Sequence, residues 1–262
     1  MDRQTAIARL AETEEDRVLL ARIHDRLTAA EQRNIPAATC FLTPREQALA
    51  AQLLPGMALH PFGGCQGAER VVLCWIPDYL EPEAWLQGED GPVRAVRATF
   101  YAGDRLTHRD FLGALMGSGI KRETVGDVYV GEGVCDFAVT REIAPYVLQN
   151  LPSAGRTKLH LAPLPLAELA APAPRVKELR DTVAALRLDA VVAAGFGLSR
   201  GRAAQCVESG RTAVNSLPCQ KPDRPVAAGD KIAVRGLGKL ELAQVTGTTK
   251  KGRIGVTIRR YI

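Results

Sequence analysis

Residues 162–174 read APLPLAELAAPAP, with four prolines and a single charge, Glu168. Each proline fixes φ and withdraws a backbone N–H, so neither a helix interior nor a central strand runs through such a stretch. The run predicts a semi-rigid connector, and therefore a chain built of more than one body. At 262 residues there is enough chain for two or three small domains, each with its own core. The charge balance changes sign at the same place. From Arg175 onward there are 17 Lys+Arg against 7 Asp+Glu, a balance of +10, while residues 1–174 hold 17 against 22, a balance of −5. The terminal body is thus suited to a polyanion.

The rest of the composition narrows the options. With 46% hydrophobic and 24% charged residues the chain is expected to fold throughout. Aromatics make up 5%, too few for a surface built mainly on base stacking. The six cysteines (Cys40, Cys65, Cys74, Cys135, Cys206, Cys219) show no C-x-x-C pair and no histidine at ligand spacing, so neither a disulfide framework nor a metal site is expected. No segment approaches the ~20 apolar residues that span a bilayer, and the first residues lack a signal-peptide layout. A cytoplasmic, monomeric protein without cofactor, membrane contact or small-molecule substrate is expected.

The patterning predicts an α+β chain. Apolar residues at three- and four-residue steps (Ile7, Leu10, Val18, Leu19, Ile23, Leu27) give helices, and Thr43-Pro44-Arg45-Glu46 carries the capping-box spacing for another. Strands are expected near 57–60 and 71–76, joined by the loop Phe62-Gly63-Gly64-Cys65-Gln66-Gly67. Segments near 93–101, 108–117, 124–130, 134–139, 141–151 and 157–162 then read strand, helix, strand, strand, helix, strand. That order is the split β-α-β layout of ferredoxin-like, RNA-recognition-like domains. The expected divisions are an N-terminal helical and strand region at 1–88, the RNA-recognition-like domain at 89–165, a linker at 166–174 and a small basic α/β domain at 175–262.

Two short helices open the basic domain, the first ended by Gly195 and the second capped by Ser199. Arg187, Arg200, Arg202 and Arg211 fall around the helix ends, where guanidinium forks and N–H groups together suit phosphates. Gln205 shares a helix face with Arg202. Forks that meet only backbone phosphates favour RNA shape over sequence.

The string RLD, SRGRAA, GRTAVN, KP and GDKIAVRG, in order from Arg187 to Gly236, resembles the RNA-binding domain named after small-subunit ribosomal protein S-four. The resemblance implies RNA contacts at Arg187, Ser199, Arg200, Arg202, Gln205, Arg211, Asn215, Lys221 and Arg235. Thr212, where valine is usual, and the turn Ser216-Leu217-Pro218-Cys219 depart from that pattern. FLTPREQALA (41–50), GGCQGAER (63–70), LTHRDFLGALMGSGIKRETVGD (106–127) and AGRTK (154–158) resemble the bacterial YlmH-like proteins, so the likeness spans nearly the whole chain. It implies a non-enzymatic binder of rRNA and tRNA on ribosomal particles, namely the large subunit carrying stalled peptidyl-tRNA in ribosome-associated quality control.

In the middle domain, Arg109, Lys121, Arg122, Arg156 and Lys158 are expected as secondary RNA contacts through loops and helix ends, because GVCDFAVT lacks the aromatic signature of an RNA-stacking sheet. His108-Arg109-Asp110 reads as a helix start with Asp110 capping Thr107, and the glycine-rich loop matches neither phosphate-binding fingerprint. The alternatives are an RNA-modifying enzyme, against which no GRLD, methyl-donor, HIGH or KMSKS segment is present, and a cell-division adaptor.

Overall fold

Residues 2–249 and 252–262 are described by the computed structural model of the chain, and the chain divides into two units, Met1–Pro172 and Ala173–Ile262. The first begins with α1 (Arg3–Leu10), α2 (Glu14–Arg33), β1 (Ala37–Ala38) and α3 (Pro44–Leu53). Capping boxes start two of these helices, Thr13 with Asp16 and Thr43 with Glu46, the second as the spacing predicts. Asp16 also accepts from Arg45 of α3 at 2.7 and 2.8 Å. The Arg45 guanidinium holds this carboxyl far below the usual range despite its burial. One carboxylate therefore both starts α2 and ties it to α3.

Next come β2 (Leu59–Phe62), β3 (Val72–Trp75) and α4 (Pro82–Gln87), with the sheet order β1-β3-β2. Pro61 is tolerated because β2 is an edge strand. The following elements are β4 (Val93–Thr99), α5 (His108–Gly117), β5 (Val125–Val130), β6 (Val134–Thr140), α6 (Ala144–Asn150), a small hairpin of β7 (Ser153–Ala154) and β8 (Thr157–Lys158), and β9 (His160–Leu164). The main strands run in the order β5-β6-β4-β9 with every neighbouring pair antiparallel. This is the split β-α-β arrangement of an α+β domain.

One face of that sheet buries Val96, Phe137 and Val139 against Phe111 and Leu115 of α5 and Val147 of α6. The other face is also covered. Val93, Ala95, Ala138 and Leu164 pack with Ala38, Phe41, Val72 and Cys74 from the preceding region. Gly126 shows how close the approach is, since a Cβ there would lie 2.7 Å from the Phe41 ring. Arg70 reinforces the join, its Nε donating to Val125 O at 3.1 Å and its Nη2 to Phe41 O at 3.1 Å. The core therefore runs across the boundary expected at residue 88, because neither part covers its apolar face alone.

The proline-rich run also differs from expectation at its start. Pro163 lies within the edge strand β9, opposite Val96, a position where its missing N–H is harmless. Leu169, only 4% exposed, belongs to the first unit's core. The expected linker 166–174 is thus partly core.

The second unit comprises β10 (Val176–Val183), α7 (Leu188–Phe196), α8 (Arg200–Glu208), β11 (Thr212–Val214), β12 (Leu217–Pro218), β13 (Lys231–Val234), β14 (Gly238–Thr248) and β15 (Ile254–Tyr261). Its six-stranded sheet has the order β10-β15-β14-β13-β11-β12. Leu188, Val191, Val192, Ala203 and Val207 of the helices pack on Ile232, Leu240, Leu242, Val256 and Ile258 of the strands. Each such Leu, Val or Ile side chain contributes roughly 1.5–3 kcal/mol by leaving water. Strand β10 escapes the sequence reading because it is a polar edge strand with no alternating apolar face. Helix α7 also continues past Gly195 to Phe196, with Gly197 at φ 66° as its C-cap. Gly195 is instead needed for packing, since a Cβ there would lie 2.4 Å from Leu240 Cδ2.

Candidate nucleic-acid interface

The second unit's basic excess is not spread evenly. Across its sheet, Glu178 pairs with Arg259, Arg259 with Glu241, and Glu241 with Lys231. Opposite charges on adjacent strands compensate one another along this row. Arg260 is held over the Phe196 ring at 5.1 Å, a packed cation–π contact. Arg187, Arg200, Arg202 and Arg211 lie around α7 and α8.

At the start of α8, Asp189 organises two of them. Its side chain, on the first turn of α7 and 3% exposed, accepts from Arg187 Nε and Nη2 at 3.1 Å each. Arg200 Nε donates to the same carboxylate at 3.1 Å. Burial acts to raise the Asp189 pKa, but the two arginine hydrogen bonds outweigh it and hold the group ionised below its ordinary range. Arg187 and Arg200 stay 38% and 60% exposed, so their remaining N–H groups face solvent while their orientation is fixed. One buried anion thus presents two cations. Asp189 is absent from the residues expected from sequence, although it stands inside the RLD string, because acidic side chains are not sought in a phosphate-binding face.

The helix N-termini differ from each other. In α7, Leu188 N and Asp189 N donate to Arg224 O and Pro222 O at 2.9 Å, so the Lys221-Pro222 segment closes that end. The expectation that both ends offer free N–H groups therefore fails for α7. In α8, Ser199 caps Arg202 N at 3.4 Å, and its first turn carries Arg200 and Arg202. Ser199 thus has a structural duty.

Arg202 and Gln205 are exposed on α8. Beyond its far end, Arg211 Nε donates to Ser209 Oγ at 3.1 Å and Nη2 contacts Cys206 Sγ at 3.2 Å, while Arg235 N donates to Arg211 O at 2.8 Å. Arg211 and the exposed Arg235 therefore sit side by side. At 1.5 Å per residue, α8 separates this pair from the Asp189 cluster by about 13 Å. The side chain of Lys221 is exposed.

Asn215 has a different task. With φ 50°, followed by Ser216 at φ 69°, it forms the two-residue turn between Val214 and Leu217. Its Nδ2 donates to Asp230 Oδ1 at 2.8 Å and its Oδ1 accepts from Lys231 N at 2.9 Å. The amide implied as an RNA contact is therefore engaged within the fold. Thr212 is likewise explained: its buried hydroxyl donates to Cys206 O at 3.2 Å.

Among the secondary candidates, Arg122 is half-buried and its Nη1 donates to the carbonyls of Val125 and Gly126. Arg109, Lys121, Arg156 and Lys158 are exposed. Asp110 Oδ2 accepts from Thr107 N at 2.7 Å and Oγ1 at 2.6 Å, which is a cap and not an acid/base pair with His108. A cavity of about 680 Å³ is lined by the glycine-rich loop, including Cys65, whose Sγ lies 3.5 Å from Tyr129 Oη. Burial pushes the Tyr129 phenol far up, so it keeps its proton and does not serve as a base for the thiol. Among the described residues no group of three or more His, Cys, Asp or Glu is arranged for a metal, and no helix is long and apolar enough to cross a membrane.

Comparison with known proteins finds an RNA-binding family model in the first unit and the S4 domain model in the second. Residues 101–168 match the family described as "Putative RNA-binding domain in YlmH", and residues 186–232 match the S4 domain. The "Ribosome-associated protein quality control protein P2" of Bacillus subtilis (strain 168) is 35% identical over 229 residues, covering 85% of this chain and 86% of that protein. A solved structure, "Cell division protein ylmH from Streptococcus pneumoniae", is 23% identical with a TM-score of 0.49, covering 62% of this chain and 98% of the other. On the identity and coverage of the Bacillus subtilis relative, together with the two domain matches, the chain belongs to the YlmH-like family of RNA-binding proteins.

Proposed function

We propose that the chain is a non-enzymatic, cytoplasmic, monomeric adaptor that docks on structured rRNA and tRNA of ribosomal particles, in particular the large subunit carrying stalled peptidyl-tRNA. The observation that carries this reading is the anchoring of Arg187 and Arg200 on one buried carboxylate. Surface arginines lose side-chain entropy when they bind, and a preset orientation lowers that cost. Arg202, Gln205, Arg211, Lys221 and Arg235 complete the face. Arginines at the two ends of α8, a helix about 13 Å long by its rise per residue, suit separate phosphates of a folded RNA better than a base edge. The printed name of the Bacillus subtilis relative supports a role in ribosome-associated quality control.

Sedimentation tests the target. The protein is expected to travel with large subunits bearing stalled peptidyl-tRNA more than with small subunits or intact ribosomes, and an Arg200→Ala/Arg202→Ala variant is expected to remain at the top of the gradient. Equal sedimentation of the variant would remove α8 from the contact. Nucleoside mass analysis of rRNA and tRNA from cells lacking the gene tests the adaptor role, because loss of one modified nucleoside would make the protein an enzyme.

A further inference from the structure

The first unit holds a second cavity, this one lined by cations, at the β9 edge of its four-stranded sheet. It measures about 410 Å³ and is lined by Thr99, Tyr101, Asp104, Arg156, Lys158 and His160, among others. That volume lies within the range of about 300–1,000 Å³ usual for small ligand sites. Neither face of the sheet itself is open for stacking, since α5 and α6 cover one and Phe41 with its neighbours the other. Access remains at the edge.

Tyr101 is 76% exposed, the most exposed of the large hydrophobic residues described. Its ring is not free to wander, because the turn closed by Asp104 N to Tyr101 O at 2.9 Å folds Gly103 against it. A Cβ on Gly103 would come 2.3 Å from Tyr101 Cε1, so glycine permits this arrangement. Across the cavity, Gly155 at φ 59° turns the β7–β8 hairpin that bears Arg156 and Lys158. Both cations are exposed and neither has an ion-pair partner among the described residues. Thr157 Oγ1 donates to Asp104 Oδ2 at 3.0 Å and pins the hairpin to the Tyr101 turn. An aromatic ring and two cations are thus held around one cavity by parts of the chain 53 residues apart.

We infer that this cavity receives an unstacked nucleotide of single-stranded RNA, with the base on Tyr101 and flanking phosphates on Arg156 and Lys158. Base stacking on an aromatic side chain beside a basic groove is the general chemistry of single-strand recognition. Thr99 and Asp104 lie where a base edge meets hydroxyl and carboxylate oxygens, both able to accept from the N3–H of uracil or from an exocyclic amine of another base. The inference rests on the reading of the chain as an RNA binder but places a site in the first unit, with residues other than those of α8.

Fluorescence anisotropy of the full chain with a labelled 12-residue oligouridine, and with an abasic ribose-phosphate strand of the same length, tests it. Tyr101→Ala is expected to weaken oligouridine binding roughly 10-fold, while Tyr101→Phe retains it and the abasic strand binds both variants alike. Arg156→Ala/Lys158→Ala is expected to weaken both strands and flatten the logarithmic salt dependence by about 1.4. The inference is overturned if the wild-type protein binds the two strands equally, or if Tyr101→Ala binds oligouridine as tightly as wild type. Arg200→Ala/Arg202→Ala is run beside these variants on a structured rRNA fragment. Retained binding there contradicts the proposed function, whereas loss there with unaltered Tyr101→Ala binding contradicts only the nucleotide cavity.

Discussion

Asp189 shows how a single acidic residue can serve a basic surface. Removing a carboxylate near a polyanion site ordinarily strengthens binding, because repulsion falls. Here the carboxylate orients Arg187 and Arg200, so the expected outcome has the opposite sign. Asp189→Asn is expected to weaken binding of structured rRNA and to destabilise the second unit by about 1–3 kcal/mol, the cost of disturbing buried charge-assisted hydrogen bonds. Filter binding and chemical denaturation check the two effects. Tighter RNA binding by the variant would show the arginines to be independent. The sequence displays both arginines and the RLD string, but a hydrogen bond between residues 189 and 200 becomes visible only when α7 and α8 fold side by side. Asn215 teaches the reverse lesson: its place in the motif points to RNA, while its positive φ and its bonds to Asp230 and Lys231 make it a turn residue.

At the scale of elements, the joins between helices and sheets carry the testable energetics. The Asp16 carboxylate, bound by Arg45, has a folded pKa well below the unfolded value of about 3.9. Its stabilising contribution is therefore complete above that unfolded value and is lost as pH falls toward the folded one. Thermal melts are expected to show wild type more stable than Asp16→Asn at pH 7 and the two converging under strong acid. Phe41, 1% exposed, joins the N-terminal region to the four-stranded sheet, so Phe41→Ala is expected to cost about 3–5 kcal/mol by denaturant titration. Helix α5 and the strands of the split β-α-β unit were legible because their apolar periodicity changes cleanly and Thr107-to-Asp110 carries a cap. Strand β10 was not, since its side chains are mostly solvated on both faces. Nor was the covering of the sheet by Phe41, because sequence alone does not distinguish an apolar face buried within a domain from one buried against its neighbour.

For the whole molecule, the charge partition first read from the sequence acquires a location. In the second unit the row Glu178–Arg259–Glu241–Lys231 alternates in sign, while Arg187, Arg200, Arg202, Arg211 and Arg235 around α8 form the face proposed for RNA. If RNA docks on this proposed face it releases counterions, so affinity is expected to fall steeply with salt. The most direct measurement is the affinity for a structured large-subunit rRNA fragment across a salt series, for wild type and Arg200→Ala/Arg202→Ala. Weaker binding by the variant, with a logarithmic salt slope shallower by about 1.8, is the expected result. Identical affinity and slope for the two proteins would contradict the assignment of the α8 face.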